Sequence, residues 1–216
     1  PFFNFVMNKS NHQPYTYPSG LTDIHSGSSR EGAVKYADAA LKNFIDKAKD
    51  RPWFSNTVFV IMSDHCAYSA GRTEINVKSY HIPAMIYNLP KRANKEVAKL
   101  CSQMDVFPTL FGYLNWSYTS NSFGMDIRQT KPEDERAFVA NYRRLGLLKK
   151  DSLVVLNSEN SGTTFHWNQK QNTLTKTSQN EKLYKELIAY YQTAYDLYKN
   201  NELTVLQQEN THENSP

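Results

Sequence analysis

Two cysteines, Cys66 and Cys101, are all the thiol chemistry in this chain. They have no zinc-ligand spacing and are too few for a disulfide framework, and they leave the redox compartment open. No stretch of about 18 uninterrupted apolar residues occurs, so nothing reads as a membrane-spanning helix. No block of like charges occurs either. Lys+Arg number 25 and Asp+Glu 21, a net charge of +4. An excess that small and dispersed argues against a nucleic-acid-binding face, while leaving room for anionic ligands. The chain has only 8 glycines, and none builds a G-x-G-x-x-G, Walker or G-x-S-x-G motif. C-x-x-C is missing as well. Dinucleotide binding, P-loop chemistry, serine-hydrolase elbows and dithiol redox chemistry are thereby excluded. There is no initiator Met and no signal peptide. Pro1 stands directly before a strand-like run, which points to a piece of a longer protein.

What the chain does have is enough apolar material for a sizeable core. Its 216 residues are 39% hydrophobic and 13% aromatic, which suits one large domain or a domain with a small appendage. Residues 2–7 (Phe-Phe-Asn-Phe-Val-Met) suit a buried strand. A loop rich in Ser, Asn, Gly and Pro follows over 8–29, and loops that long are often functional. Apolar residues at three- and four-residue spacing (Ala33, Tyr36, Ala40, Leu41, Phe44, Ile45, Ala48) predict a helix over 31–49, stopped at Arg51-Pro52. The β-branched run over 57–62 reads as a central strand covered on both faces. Strand, helix, strand in that order predicts a βαβ unit, hence a parallel sheet with a right-handed crossover. A short strand follows at 84–87. Asp105 can cap a helix running to about Leu114, with Pro108 tolerated in its first turn.

Beyond about Thr130 the pattern changes. Short strands are predicted at 137–142, 145–148, 153–156 and 163–167, with Arg143-Arg144 and Glu159-Asn160-Ser161-Gly162 as turns. A long helix over 181–200 carries Leu183, Leu187, Tyr191, Ala194, Tyr195 and Tyr198 on one face. Residues 207–216 read as a frayed polar tail. The expected fold is therefore α/β: a mostly parallel sheet with flanking helices over 1–130, then a small antiparallel sheet and long terminal helix over 131–206.

Chemistry is best placed at Ser63-Asp64-His65, directly after the strand at 57–62. Ligands in open α/β sheets bind beyond the carboxyl ends of strands. There a carboxylate and an imidazole side by side can face one cation, although an Asp cap followed by an ordinary loop histidine has the same spacing. His12, in Asn11-His12-Gln13-Pro14-Tyr15, falls just after the run 2–7. A parallel strand there would bring it to the same sheet edge, where it could donate to an anionic oxygen or protonate a leaving group. A turn histidine beside Pro14 is the plainer alternative. His81 precedes the strand at 84–87 and would reach a substrate only if its loop folded back over that edge; otherwise it is structural. His25 and His166 have no comparable context.

Asn11–Tyr15, Val60-Ile61-Met62-Ser63-Asp64-His65, His81-Ile82-Pro83-Ala84-Met85-Ile86-Tyr87 and Gln103-Met104-Asp105-Val106-Phe107-Pro108-Thr109-Leu110 occur here in a set order. That order and spacing resemble the sulfatase-like enzymes of the alkaline phosphatase superfamily, most of all the lipoteichoic acid synthase branch, which transfers phosphoglycerol. The resemblance extends over roughly residues 2–156. It implies that Asp64 and His65 are ligands of one divalent metal ion (Mn, Mg, Ca or Zn), that His12 contacts the substrate's phosphate or glycerol, and that His81 occupies the place of a basic residue near the substrate. Asp105 and Pro108 then begin a structural helix. The family's nucleophile, a Thr, Ser or Cys that forms a covalent phospho- or sulfo-enzyme, and its remaining metal ligands belong to an N-terminal half with no counterpart among these residues. The resemblance further implies an anionic, lipid-linked ester as partner, and an extracytoplasmic position held by N-terminal transmembrane helices. A sulfate ester or phosphoethanolamine lipid is an alternative substrate, and a non-catalytic anion- or glycan-binding relic is an alternative of another class.

Overall fold

Ser29 opens the first helix. In this computed structural model, which describes residues 2–66, 75–90, 95–157 and 161–203, its hydroxyl accepts the Gly32 amide at 3.2 Å, and α1 runs over Arg30–Lys49. Glu31 in the first turn and Lys47 and Lys49 in the last complement the helix dipole. The long loop before α1 is not loose. It wraps around buried Tyr17, whose hydroxyl donates to the Ile24 and His25 carbonyls and whose ring stacks 4.9 Å from Tyr36 on the helix. A Cβ on Gly32 would strike that hydroxyl and the Ile24 side chain, so only glycine lets the loop close here. Residues 1–58 form one compact unit and 59–216 a second.

The strand expected at 2–7 does not form. The segment has no regular secondary structure and joins no sheet among the described residues, and Phe3, Phe5 and Val6 are exposed. A β-forming run becomes a strand only where another segment offers its backbone groups. The βαβ unit therefore does not close, and the expected parallel pairing is absent among the described residues. In its place, β1 (Phe59–Met62) pairs antiparallel with β2 (Ala84–Tyr87), in the register Phe59 with Tyr87 and Met62 with Ala84. An antiparallel partner needs no helical crossover. β1 is half-buried and not covered on both faces.

Ser102, not Asp105, opens the next helical segment. The Ser102 side chain and the Asp105 side chain satisfy each other's backbone amides in a capping box, which starts a 3-10 turn (Gln103–Asp105) that passes into α2 (Val106–Leu114). Asp105 and Arg136 are both 1% exposed and pair at 3.2 Å. The Asp105 carboxylate also accepts the Met125 amide at 2.8 Å, and Arg136 donates to the Phe123 carbonyl at 2.5 Å.

The α/β class, the small antiparallel sheet and the long terminal helix are all present. The sheet is a meander, β3 (Ala137–Asn141), β4 (Arg144–Lys149), β5 (Ser152–Leu156), β6 (Gly162–Asn168) and β7 (Thr173–Lys176), in that spatial order. The β3–β4 turn is Tyr142-Arg143, one residue earlier than expected, because Arg144 pairs with Asn141. Part of the expected 159–162 turn lies outside the described residues, as do 207–216.

Both faces of this sheet are covered. Leu148, Leu153, Val155 and Val139 pack with Ile75 and Val77, joining residues from either side of position 130. Leu147 and Val154 pack with Leu183 and Leu187 of α3 (Glu181–Lys199). Double-sided burial explains why β4 and β5 read as continuous apolar runs and not as alternating ones. Tyr195 and Tyr198 are exposed, so the buried stripe of α3 ends near Tyr191, a turn or two short of the expectation.

Candidate functional site

β1 delivers Ser63, Asp64 and His65 at its carboxyl end, and the Ser63 amide extends the ladder by donating to the Pro83 carbonyl at 3.1 Å. The chain then turns. The His65 amide donates to Asp64 Oδ1 at 3.0 Å, which holds the carboxylate over its own peptide. His65 Nδ1 lies 2.7 Å from the Cys66 carbonyl oxygen. A carbonyl can only accept, so this contact assigns the ring proton to Nδ1 and leaves a lone pair on Nε2. Nε2 sits 3.5 Å from Asp64 Oδ2. Two electron-rich atoms facing each other at this distance can share one cation.

The same geometry suits a metal. Metal-binding histidines commonly fix their tautomer by donating the other ring N–H to a carbonyl. Donors 3.5 Å apart, each about 2.1 Å from an ion, subtend about 113° there, close to the tetrahedral angle. Both side chains are open to solvent, 68% exposed for Asp64 and 71% for His65. No group of three or more His, Cys, Asp or Glu able to hold a metal occurs among the described residues. The described residues thus offer two donors of a suitable kind and no third beside them.

The antiparallel pairing also changes the position of His81. Had β1 and β2 run parallel, the start of β2 would lie at the far end from Asp64. Because Met62 faces Ala84 and Ser63 bonds Pro83, the entrance to β2 lies at the exit of β1. His81, two residues before Pro83, reaches that edge without any loop folding back. No hydrogen bond or ion pair joins its ring to Asp64 or His65. The segment before it is pinned to the five-stranded sheet. Asn172, at φ 53°, accepts the Lys78 amide at 3.2 Å and donates to Asn76 at 2.8 Å, and the Tyr80 hydroxyl donates to the Ala140 carbonyl at 3.1 Å.

His12 lies in the first unit, in a turn where its amide donates to the Lys9 carbonyl and its carbonyl accepts the Tyr15 amide. Its Nδ1 is 3.0 Å from the Gln13 carbonyl, which again leaves Nε2 as the free ring nitrogen. The Gln13-Pro14 bond is cis, and Tyr15 adopts a left-handed φ of 62°. The expected route to the Asp64 edge, a parallel strand at 2–7, is not formed. Asp105 is structural, as expected.

Gln103 is the residue beside this turn that sequence reasoning passed over. Its Nε2 donates to the Ser63 carbonyl at 2.7 Å and to the Asp64 carbonyl at 2.8 Å. It lies within the Gln103–Leu110 motif, but an uncharged amide 39 residues downstream gives no sign in sequence of what it touches.

The sulfatase family model matches residues 1–116, more than half of the 216. A lipoteichoic acid synthase-like protein of Bacillus subtilis (strain 168), YvgJ, is 28% identical over 151 residues, covering 59% of this chain and 24% of that protein. The crystal structure of a protein in the alkaline phosphatase superfamily from Vibrio parahaemolyticus aligns with a TM-score of 0.84 and 30% identity, over 91% of this chain and 49% of that one. The chain therefore spans about a quarter of its curated relative and about half of the solved structure.

Proposed function

The chain belongs to the sulfatase family, and from that membership we propose that it supplies one side of the active site of a metal-dependent enzyme acting on phosphoglycerol-type esters. The observation that carries the reading is the Asp64–His65 pair, with Oδ2 and Nε2 facing each other at 3.5 Å and a tautomer set for coordination through Nε2. Asp64 and His65 would hold a divalent ion, which would supply positive charge for a nucleophile's anion and for the ester's non-bridging oxygens. His12 donates from its ring to a phosphoryl oxygen or returns a proton to the leaving oxygen. His81, at the entrance to β2, lends a polar or cationic group to the anionic substrate.

The lipoteichoic acid synthase-like name of the Bacillus relative supports a lipid-linked phosphate ester and an extracytoplasmic setting. Among the described residues no helix is long and apolar enough to cross a membrane. The resemblance assigns the family's nucleophile to a part of the enzyme outside the matched motifs. On this reading the 216 residues alone turn over no ester, and activity belongs to the full polypeptide encoded with them.

The test uses that full polypeptide. Asp64→Ala should abolish release of glycerol phosphate from a phosphoglycerol lipid and weaken Mn2+ binding by at least about 100-fold, the scale for losing a metal ligand or its support. Unchanged turnover and unchanged metal affinity would remove the reading. Hydrolysis of a sulfate ester with no activity on the phosphate ester would reassign the substrate.

A further inference from the structure

We propose that Gln103 is a positioning residue for the Asp64–His65 pair, acting through the peptide that joins them. The inference rests on the metal reading of that pair. One amide nitrogen spends its two N–H bonds on two consecutive carbonyls, Ser63 at 2.7 Å and Asp64 at 2.8 Å. Consecutive carbonyls converge on one donor only at a particular backbone conformation of Asp64, so the clamp fixes that conformation. The second of these peptides also carries the His65 amide, which donates to Asp64 Oδ1 at 3.0 Å. A single peptide plane is thus held by Gln103 on its carbonyl side and holds the carboxylate on its amide side. With Oδ1 occupied in this way, Oδ2 is the oxygen left facing His65 Nε2.

Gln103 is itself held from behind. It is the first residue of the 3-10 turn closed by the Ser102–Asp105 capping box. Ser102 Oγ accepts the Phe138 amide of β3 at 3.1 Å, and Asp105 is locked to buried Arg136. The rigid side of the turn is therefore buried in the second unit, while the clamp itself is solvent-exposed. A neutral amide suits this task, because it donates without placing a positive charge next to a cation site. An exposed clamp of this kind adds little to global stability, since water can take over both carbonyls. Its effect is to keep two ligands in one place.

The experiment uses the full encoded polypeptide, with Gln103→Ala and the isosteric Gln103→Glu, which has no donor at neutral pH. Metal-free hydrogen exchange of the segment containing Ser63–Cys66 should quicken at least about tenfold in both variants. Mn2+ affinity, read by titration, should fall about 10- to 100-fold, the usual cost of losing a group that orients a ligand. The metal-free melting temperature should stay within about 2 °C of wild type. Unchanged exchange and unchanged affinity would overturn the proposal. A large drop in the metal-free melting temperature of both variants would also overturn it, in favour of a purely structural glutamine. Asp64→Ala, measured alongside, separates the two readings. If that variant binds Mn2+ like wild type, the metal assignment itself has failed; if it loses the metal while both Gln103 variants keep it, only the positioning role has failed.

Discussion

Removing the Asp105 carboxylate should be among the most damaging single changes in the second unit. The carboxylate gathers four donors: the Ser102 and Met125 amides at 2.8 Å each, and two Arg136 guanidinium nitrogens at 3.2 Å. Asp105→Ala leaves a guanidinium that is 1% exposed, whose Nε already has no hydrogen-bond partner. Breaking a buried pair by deleting one partner costs about 3–5 kcal/mol, and the two stranded amides put this case toward the upper end. For a unit of this size that is a drop of roughly 6–20 °C in melting temperature. Urea unfolding of Asp105→Ala, Arg136→Met and the double variant measures it. The double variant should be less destabilised than the sum of the singles, because removing both charges leaves neither uncompensated. A cost below about 1 kcal/mol for Asp105→Ala, or simple additivity in the cycle, would refute the reasoning.

Other expectations follow from the same contacts. Asn172→Gly keeps the left-handed backbone but loses the side-chain bonds to Lys78, Asn76 and Trp167; hydrogen exchange over 77–81 should quicken while the five-stranded sheet keeps its protection. Burial opposes ionisation of Asp126, but the hydrogen bonds from Arg128 prevail and hold its carboxyl below the ordinary range. A depressed folded-state value adds stability above the unfolded value, about pH 4, and that stability disappears as pH falls through the folded value. Arg128→Ala should therefore be less stable than wild type at pH 7, with the gap narrowing in acid titrations toward pH 3. A constant gap across that range would contradict the assignment.

Much of the second unit is legible in sequence because its signals are local. Leu153-Val154-Val155 is an apolar β-branched run, and 181–199 repeats its leucines and tyrosines at helical spacing. β7 escapes such reading because Thr173-Leu174-Thr175-Lys176 is half polar and becomes a strand only by pairing with β6. The opposite error befell 2–7, where strong β propensity finds no partner. The exit of β1 at Asp64 was readable from Val58–Met62, whereas the direction of β2 was not. A strand carries no mark of its neighbour's orientation, and the antiparallel answer moved His81 from a remote loop to the site's edge. Arg136 and Gln103 were invisible for a related reason: each acts across 31 to 40 residues of chain, and their residue types alone point to surface solvation.

The central claim is that Asp64 and His65 share a cation, and crystallography of the full encoded polypeptide grown with Mn2+ tests it most directly. Anomalous scattering at the manganese edge should place an ion about 2 Å from both Asp64 Oδ2 and His65 Nε2, with Nδ1 still donating to the Cys66 carbonyl. An ion bound elsewhere, with Asp64 and His65 free of it, would contradict the account.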